Sequence, residues 1–508
     1  MASSLSPGGS RKQAGVNTLT EPQPDPVGLQ TVLDNALAPA SVHSIELHGA
    51  TNTRRSLLDH IFNPIIESSR NPNTTLGDVT AQIGIASGKL SRLGIFREES
   101  TRVFLADAPR SQPGLDPNRT ELDVSFNVRE RGRFALSAGT DFGNSEGTAY
   151  TNAEVRNILG GAEKLTLNAR VGTRTRSAYN ATLSAPVNGN PDIQVALEAL
   201  KSSAQKPWAS HDEHLTGGSL KLAWAGVRPG DTHSFTFASI WRQLTGLTAQ
   251  ASPTIRHDAG DSVKNSLGYS YIRDRFDRSG IHSLPQSGHQ LRITTELAGW
   301  GPLQGDVSFS KTEFELNKTL PGPRTSGVIF SGGLRLGLLY PLPFSYSLQG
   351  AALPSRVNDR FQLGGPTDVR GFKIGGLGPH DGSDAVGGDV FAAGGISMLF
   401  PLPVLGADSP LRLQLFANSG RLVALKHKGK STEASSSLVG HGSGAVFKGV
   451  QSAVSDLVTG LPSTAAGFGL VYAHPVARFE LNFSLPLVTR RGEESRKGLQ
   501  FGVGINFL

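Results

Sequence analysis

"ARFELNFSLPL", residues 477–487, decides how this chain is read. Phe479, Leu481, Phe483 and Leu485 share one side of an extended backbone, and Glu480, Asn482 and Ser484 share the other. A period of two specifies a strand with an apolar face and a polar face. The apolar face must be covered by protein or by lipid. A glutamate in the middle of the polar face needs water or a counter-charge.

The same period runs through most of the chain. "GRFALSAGTDF" (132–142) sets Phe134, Leu136 and Ala138 against Ala135, Ser137 and Gly139; "HSFTFASIW", "LRLQLFANSG" and "KGLQFGVGINFL" behave alike. In "GDVSFSKTEFEL" the parity changes between Phe309 and Phe314, which predicts a bulge or an exit from the buried zone. About sixteen such segments begin near residues 132, 147, 162, 177, 192, 214, 232, 261, 289, 303, 327, 389, 411, 464, 477 and 497. Even strand number and polar linkers point to a transmembrane β-barrel, in which a strand needs about 9–11 residues to cross lipid. Every second residue would face the lumen, so a hydrophobic share of only 37% is no objection. A soluble propeller would repeat a signature every roughly 40–50 residues, and none recurs.

Residues 41–130 read differently. "SVHSIELHGA" is a short strand, and Leu57, Leu58, Ile61 and Phe62 fall at helical spacing. Leu76, Val79, Ile83, Leu90 and Leu93 mark one broken or two short helices, and "STRVFLAD" and "ELDVSFNVRER" alternate as strands. The order β-α-α-β-β makes one small α/β domain ahead of the barrel at 131–508. Residues 1–40, rich in Ser, Pro and Gly, read as a disordered tail without the apolar core of a secretory signal.

Bulk composition excludes several classes. Forty-nine Lys and Arg against 42 Asp and Glu give a net charge of +7, but the basic residues are scattered, so no nucleic-acid partner is expected. The absence of cysteine rules out disulfides and thiolate metal sites. No apolar run reaches the about 18 residues of a transmembrane helix.

The longest irregular stretch of the second half, about 343–388, contains "GGPTDVRGFKIGG" (364–376). A loop of this length usually has a function, and here it would fold back into the lumen. A guanidinium buried there needs a carboxylate or several neutral acceptors. Parity turns Glu480 inward, and in "LRLQLFANSG" it turns Leu411, Leu413 and Leu415 outward and Phe416 and Asn418 inward. Arg370 is therefore expected to pair with Glu480, with Asn418 as a neutral second acceptor. Exchanging the two charges should restore function lost in either single variant.

Val369, Arg370, Gly371 and Phe372 in a long loop before the last five strands resemble the loop motif of the BamA-type barrel-assembly superfamily. Phe416, Asn418 and Gly420 resemble its Phe-x-(Asp or Asn)-x-Gly strand motif, and the α/β domain resembles a POTRA domain. Bacterial members have Asp where this chain has Asn418, several POTRA domains and a secretory signal. The departures point to the mitochondrial, sorting-and-assembly branch. The resemblance implies an outer-membrane insertase of β-barrel precursors with peripheral subunits and membrane lipids as partners, the POTRA-like domain facing the intermembrane space, and no cofactor. Its lateral gate would lie between the first strand (Phe134, Leu136, Ala138) and the last (Gln500, Gly502, Gly504, Ile505, Phe507). Inward Gly502 and Gly504 weaken the last strand, and Gln500, Gly502, Ile505 and Phe507 have the spacing of the sorting signal carried by mitochondrial barrel proteins. The alternative is a protein-translocation or metabolite channel on the same barrel.

The remaining signals are weaker. Within the insertion 426–463, Val446, Phe447, Val450, Val454 and Leu457 predict an amphipathic helix on the cytosolic rim, whose apolar face would serve loop packing, a partner subunit or the membrane surface. "HDGSD" (380–384) lacks calcium-loop spacing, and "GHGSG" (440–444) lacks the nucleophile-elbow serine. No catalytic constellation is found.

Overall fold

The structure, a computed structural model, describes residues 35–97, 101–108, 119–143, 146–278, 284–323, 327–343, 351–402, 405, 409–425, 441–474 and 478–504. Residues 1–34 of the expected tail, 344–350 of the long loop, 426–440 of the insertion, and gate residues Ile505 and Phe507 lie outside these. The chain divides into two units.

In the N-terminal unit β1 (Ala40–His48), α1 (Arg55–Ser69), α2 (Leu76–Arg92), β2 (Arg102–Asp107) and β3 (Thr120–Asn127) follow the order read from the sequence. β3 lies between the other two strands, parallel to β1 and antiparallel to β2. Thr75 and Asp78 form a reciprocal cap at the start of α2, each side chain bonding the other's backbone N–H. Ile61, Phe62, Ile65, Val79, Ile83 and Leu90 turn inward against Val124 and Phe126, with the Phe62 and Phe126 rings 4.9 Å apart.

The second unit is a sheet of sixteen strands, every one antiparallel to its chain neighbours. Its first half comprises β4 (Phe134–Gly143), β5 (Glu146–Arg156), β6 (Lys164–Gly172), β7 (Thr175–Val187), β8 (Asn190–Lys206), β9 (His211–Ala225), β10 (Asp231–Thr245) and β11 (Gly260–Asp274). The second half comprises β12 (Gly288–Ala298), β13 (Phe309–Pro321), β14 (Ile329–Pro341), β15 (Val390–Pro401), β16 (Leu411–Val423), β17 (Ser463–Ala473), β18 (Arg478–Val488) and β19 (Gly498–Gly504). This up-and-down order is the fold of an outer-membrane barrel. Two short helices of interest lie in its connections, α3 (Pro253–Asp258) and α4 (Ser443–Thr459).

Parity sets the two faces. Leu220, Leu222, Phe235, Phe237, Ile396, Leu413, Leu415, Leu481 and Phe501 point outward and are exposed on the isolated chain, as lipid-facing side chains must be. Gln414, Asn418, Glu480, Asn482, Ser484 and Gln500 point inward and are buried. The expected bulge in β13 is absent: its register runs unbroken against both neighbours. Phe309 simply faces inward, where it joins the apolar core beneath the long loop, while Phe314 lies on the opposite face.

The two longest connections, 342–389 and 424–462, leave the barrel at the end opposite the start of β4. To that core the long loop contributes Phe361, Leu363, Val369, Phe372 and Leu377, clustered with Phe391, Ala393, Leu422 and Ala465 of the inner wall.

Candidate functional site: the loop clamp and the seam

Arg370 reaches the inner wall through a chain reversal at Gly371, whose φ of +86° is strained for any residue with a side chain. A Cβ there would also lie 2.6 Å from the Ala465 Cβ. On the strand beside Ala465, Gly420 leaves room for Leu363 and Val369, which would stand 2.9 and 3.0 Å from an added Cβ.

The structure brings Arg370 and Glu480 together. Nε donates to Glu480 Oε2 at 2.9 Å and Nη2 to Oε1 at 3.2 Å, and both side chains have no solvent exposure. This two-pronged geometry suits the planar guanidinium. Asn418, with its amide turned so that both ends are satisfied, accepts from the Arg370 backbone N–H at 3.0 Å and from Nη1 at 3.1 Å. Phe416 lies under the guanidinium, its ring centre 5.0 Å from Cζ.

Glu480 has more partners than the sequence reading gave it. Arg478 Nη2 is 2.6 Å from Oε1, Asn482 Nδ2 donates to Oε2 at 2.7 Å, and the turned Gln414 amide donates to Oε1 at 3.3 Å. One carboxylate thus sits between two guanidinium groups. Arg478 carries the inward parity of Glu480 two residues on, so alternation alone could have found it.

Gln500 faces inward as expected, but its amide is engaged with the loop. Oε1 accepts from the Gly371 N–H at 2.8 Å and from Ser484 Oγ at 3.1 Å, while Nε2 donates to the Phe372 carbonyl at 3.2 Å. The connection ahead of β19 adds backbone bonds, Arg496 N–H to the Gly371 carbonyl at 2.8 Å and Lys373 N–H to the Glu494 carbonyl at 3.1 Å.

Further struts fix the loop around the lumen. Arg335 meets Asp368 at 2.7 Å, and Arg242 meets Asp359 at 2.5 Å with both nearly excluded from solvent. Lys311 Nζ donates to the Asp359 carbonyl at 3.1 Å and stands 4.3 Å from the Phe361 ring centre. Asp384, 1% exposed, accepts from Ser210 Oγ at 2.6 Å and from the Ser252 N–H at 2.7 Å. The turn that looked like a metal loop is therefore an anchor: Asp381 likewise accepts from both the backbone and hydroxyl of Thr254.

At the seam β4 and β19 approach within 8 Å between Cα atoms, yet no ladder joins them among the described residues. Phe134 and Leu136 point outward, 64% and 62% exposed, with Ala138 on the same face; Gly502 points inward and Gly504 ends the described part of β19. A cavity of about 1290 Å³ opens beside this edge, lined by Trp208, Phe372, Lys373, Arg496, Gln500 and Phe501, with Glu146 from the start of β5. Polar, cationic and apolar groups share its wall.

Residues 157–507 match the Omp85 superfamily domain. A SAM50-like protein of Schizosaccharomyces pombe is 36% identical over 481 residues, covering 94% of this chain and 93% of its own. A sorting and assembly machinery component 50 homolog of Xenopus laevis is 31% identical over 489 residues, covering 95% and 94%. Among solved structures, BamA from Haemophilus ducreyi lacking POTRA domains 1–3 superposes with a TM-score of 0.67 at 14% identity, over 92% of this chain and 84% of that one, a likeness of fold. The sixteen-strand sheet with its loop clamp thus belongs to the Omp85 superfamily of outer-membrane barrels. Within that superfamily the chain is a SAM50-type member, and its place is the mitochondrial outer membrane.

Proposed function

We propose that this chain inserts β-barrel precursors into the mitochondrial outer membrane by templating their strands at the seam between β4 and β19. One observation carries the reading: among the described residues the end strands lie side by side without a ladder while Gln500 and the 493–496 connection hold β19 to the loop. Unpaired N–H and C=O groups on a strand edge are a template for another strand. In hydrocarbon no water can satisfy them, so a client strand gains its full ladder by pairing there. Successive hairpins would enter between β4 and β19, and no bond chemistry or nucleotide is needed.

The N-terminal unit would face the intermembrane space and receive precursors there, and peripheral subunits of a sorting and assembly machinery would work with the barrel. A channel on the same scaffold is the rival. The apolar core that the loop builds inside the lumen supports insertion, because a conducting pore would be lined with water-exposed polar groups.

The test is disulfide crosslinking in isolated mitochondria, where the cysteine-free chain gives a clean background. Single cysteines at 133–141 and 499–503 are paired with cysteines in the terminal strand of an imported precursor. Regular-register crosslinks to β4, joined by crosslinks to β19 as hairpins accumulate, support the gate. If β4 and β19 stay locked to each other while the precursor enters, the channel reading replaces it.

A further inference from the structure

Helix α4 takes no part in the loop clamp. The sequence places Val446, Phe447, Val450, Val454 and Leu457 on one face, but the structure divides that set. Val446, Val450 and Ala453 are buried with Leu457 packed beside them, while Phe447 is 61% exposed and Val454 39%. At about 100° per residue, Phe447, Val454 and Val458 form a second stripe roughly a quarter turn from the buried one. Val458 is 78% exposed, and Leu461, just beyond the helix, is 80% exposed.

What the buried stripe touches locates the helix. Its partners on the wall are Leu338 and Tyr340 of β14, Val390 of β15 and Val423 of β16. Val390 pairs directly with Leu338 and with Val423, so these three share a face. Leu338 and Tyr340 have the parity of Leu334 and Leu336, which point outward and stay exposed. The helix therefore packs on the outside of the barrel, at the long-loop end of the wall that faces lipid. Leu336, 39% exposed, is the next outward residue below Leu338, so bare lipid-facing wall begins directly under the helix.

We propose that α4 is an interfacial membrane helix, with its second stripe of Phe447, Val454 and Val458 covered by lipid at the boundary of headgroups and acyl chains. The occupant follows from continuity. The buried stripe already covers wall that lipid would otherwise touch, and the adjoining stripe extends the same apolar surface outward. Lys448, Ser452, Ser455 and Thr459 occupy the opposite side of the helix, where headgroups and water would be. A bundle of apolar side chains this exposed is unusual unless something apolar covers it.

The chain carries no cysteine, so single cysteines at Phe447, Val458, Ser455 and, as a wall reference, Leu336 can each take an environment-sensitive dye. The labelled proteins are reconstituted into phosphatidylcholine–phosphatidylinositol vesicles. Quenching by lipids spin-labelled high on the acyl chain is compared with quenching by aqueous iodide. Lipid quenching at 447 and 458 should approach that at 336 and exceed that at 455 by about threefold or more, with iodide giving the reverse order. Labels at 447 and 458 that iodide reaches freely, with the wall label quenched by lipid, would overturn the proposal. So would protection that appears only when other outer-membrane proteins are added, which would make the stripe a protein-docking surface. Phe447 and Val458 do not pack on the barrel, so these replacements leave the fold intact.

Discussion

Gln500 accepts a hydrogen bond from the Gly371 backbone N–H at 2.8 Å, so a side chain of the last strand completes the backbone bonding of the loop motif. A primary amide can accept from one backbone group and donate to the next, and Gln500 does both by also donating to the Phe372 carbonyl. The terminal strand and the motif are therefore one hydrogen-bonded unit, which adds to the ladder between β18 and β19.

Replacing Gln500 by Leu strands a buried N–H and a buried carbonyl, each a loss of about 1–3 kcal/mol. Hydrogen exchange at the Gly371 amide should rise by about tenfold or more, from the same energies. Gln500→Glu keeps the acceptor, and Gly371 should exchange more slowly in it than in the Leu variant. Mass spectrometry of a peptide covering 366–376 reads both.

Arg370→Ala leaves Glu480 with Arg478 in place of two guanidinium partners, and Glu480→Gln removes the carboxylate that lies between Arg370 and Arg478. Breaking a buried pair in this way costs about 3–5 kcal/mol, so precursor assembly in isolated mitochondria should fall sharply in each. The simple charge exchange Arg370→Glu with Glu480→Arg is now expected to rescue only in part, since it sets a guanidinium at 480 beside Arg478. Adding Arg478→Gln to the exchange should raise assembly further. If the third change lowers it, Arg478 has another task.

Gly371→Ala meets both a positive φ and the Ala465 Cβ, and should destabilise the folded barrel by roughly 1–3 kcal/mol. Gly449→Ala in α4 meets nothing within 4 Å and should stabilise the helix by up to about 1 kcal/mol. Heat-dependent gel migration of the folded barrel should order the pair with Gly449→Ala above the parent and Gly371→Ala below it.

Arg242→Met strips the Asp359 carboxylate of its cation in a site nearly closed to solvent. The double variant Arg242→Met with Asp359→Leu should be more stable than Arg242→Met alone, because no buried charge is left unpaired. The same gel assay decides the order; a double variant below the single one would contradict it.

Much of this protein was written in local order. A period of two is visible residue by residue, and membrane strands must display it because one face meets lipid and the other does not. The sixteen strands and the inward sides of Glu480, Asn418 and Gln500 followed from that alone, and Arg478 was open to the same reasoning. The sequence could not say that Phe309 lies under the loop in an unbroken strand, since a parity change and a bulge look alike without the partner strand's register. It placed Phe447 and Val446 on one helix face, because helical spacing cannot tell a stripe that meets the barrel wall from its neighbour that does not. Nor could it join Gln500 to Gly371, 129 residues away. Alternation fixes which way a side chain points, but what it meets there depends on where a long irregular loop comes to rest, and only packing and hydrogen bonding across the lumen decide that.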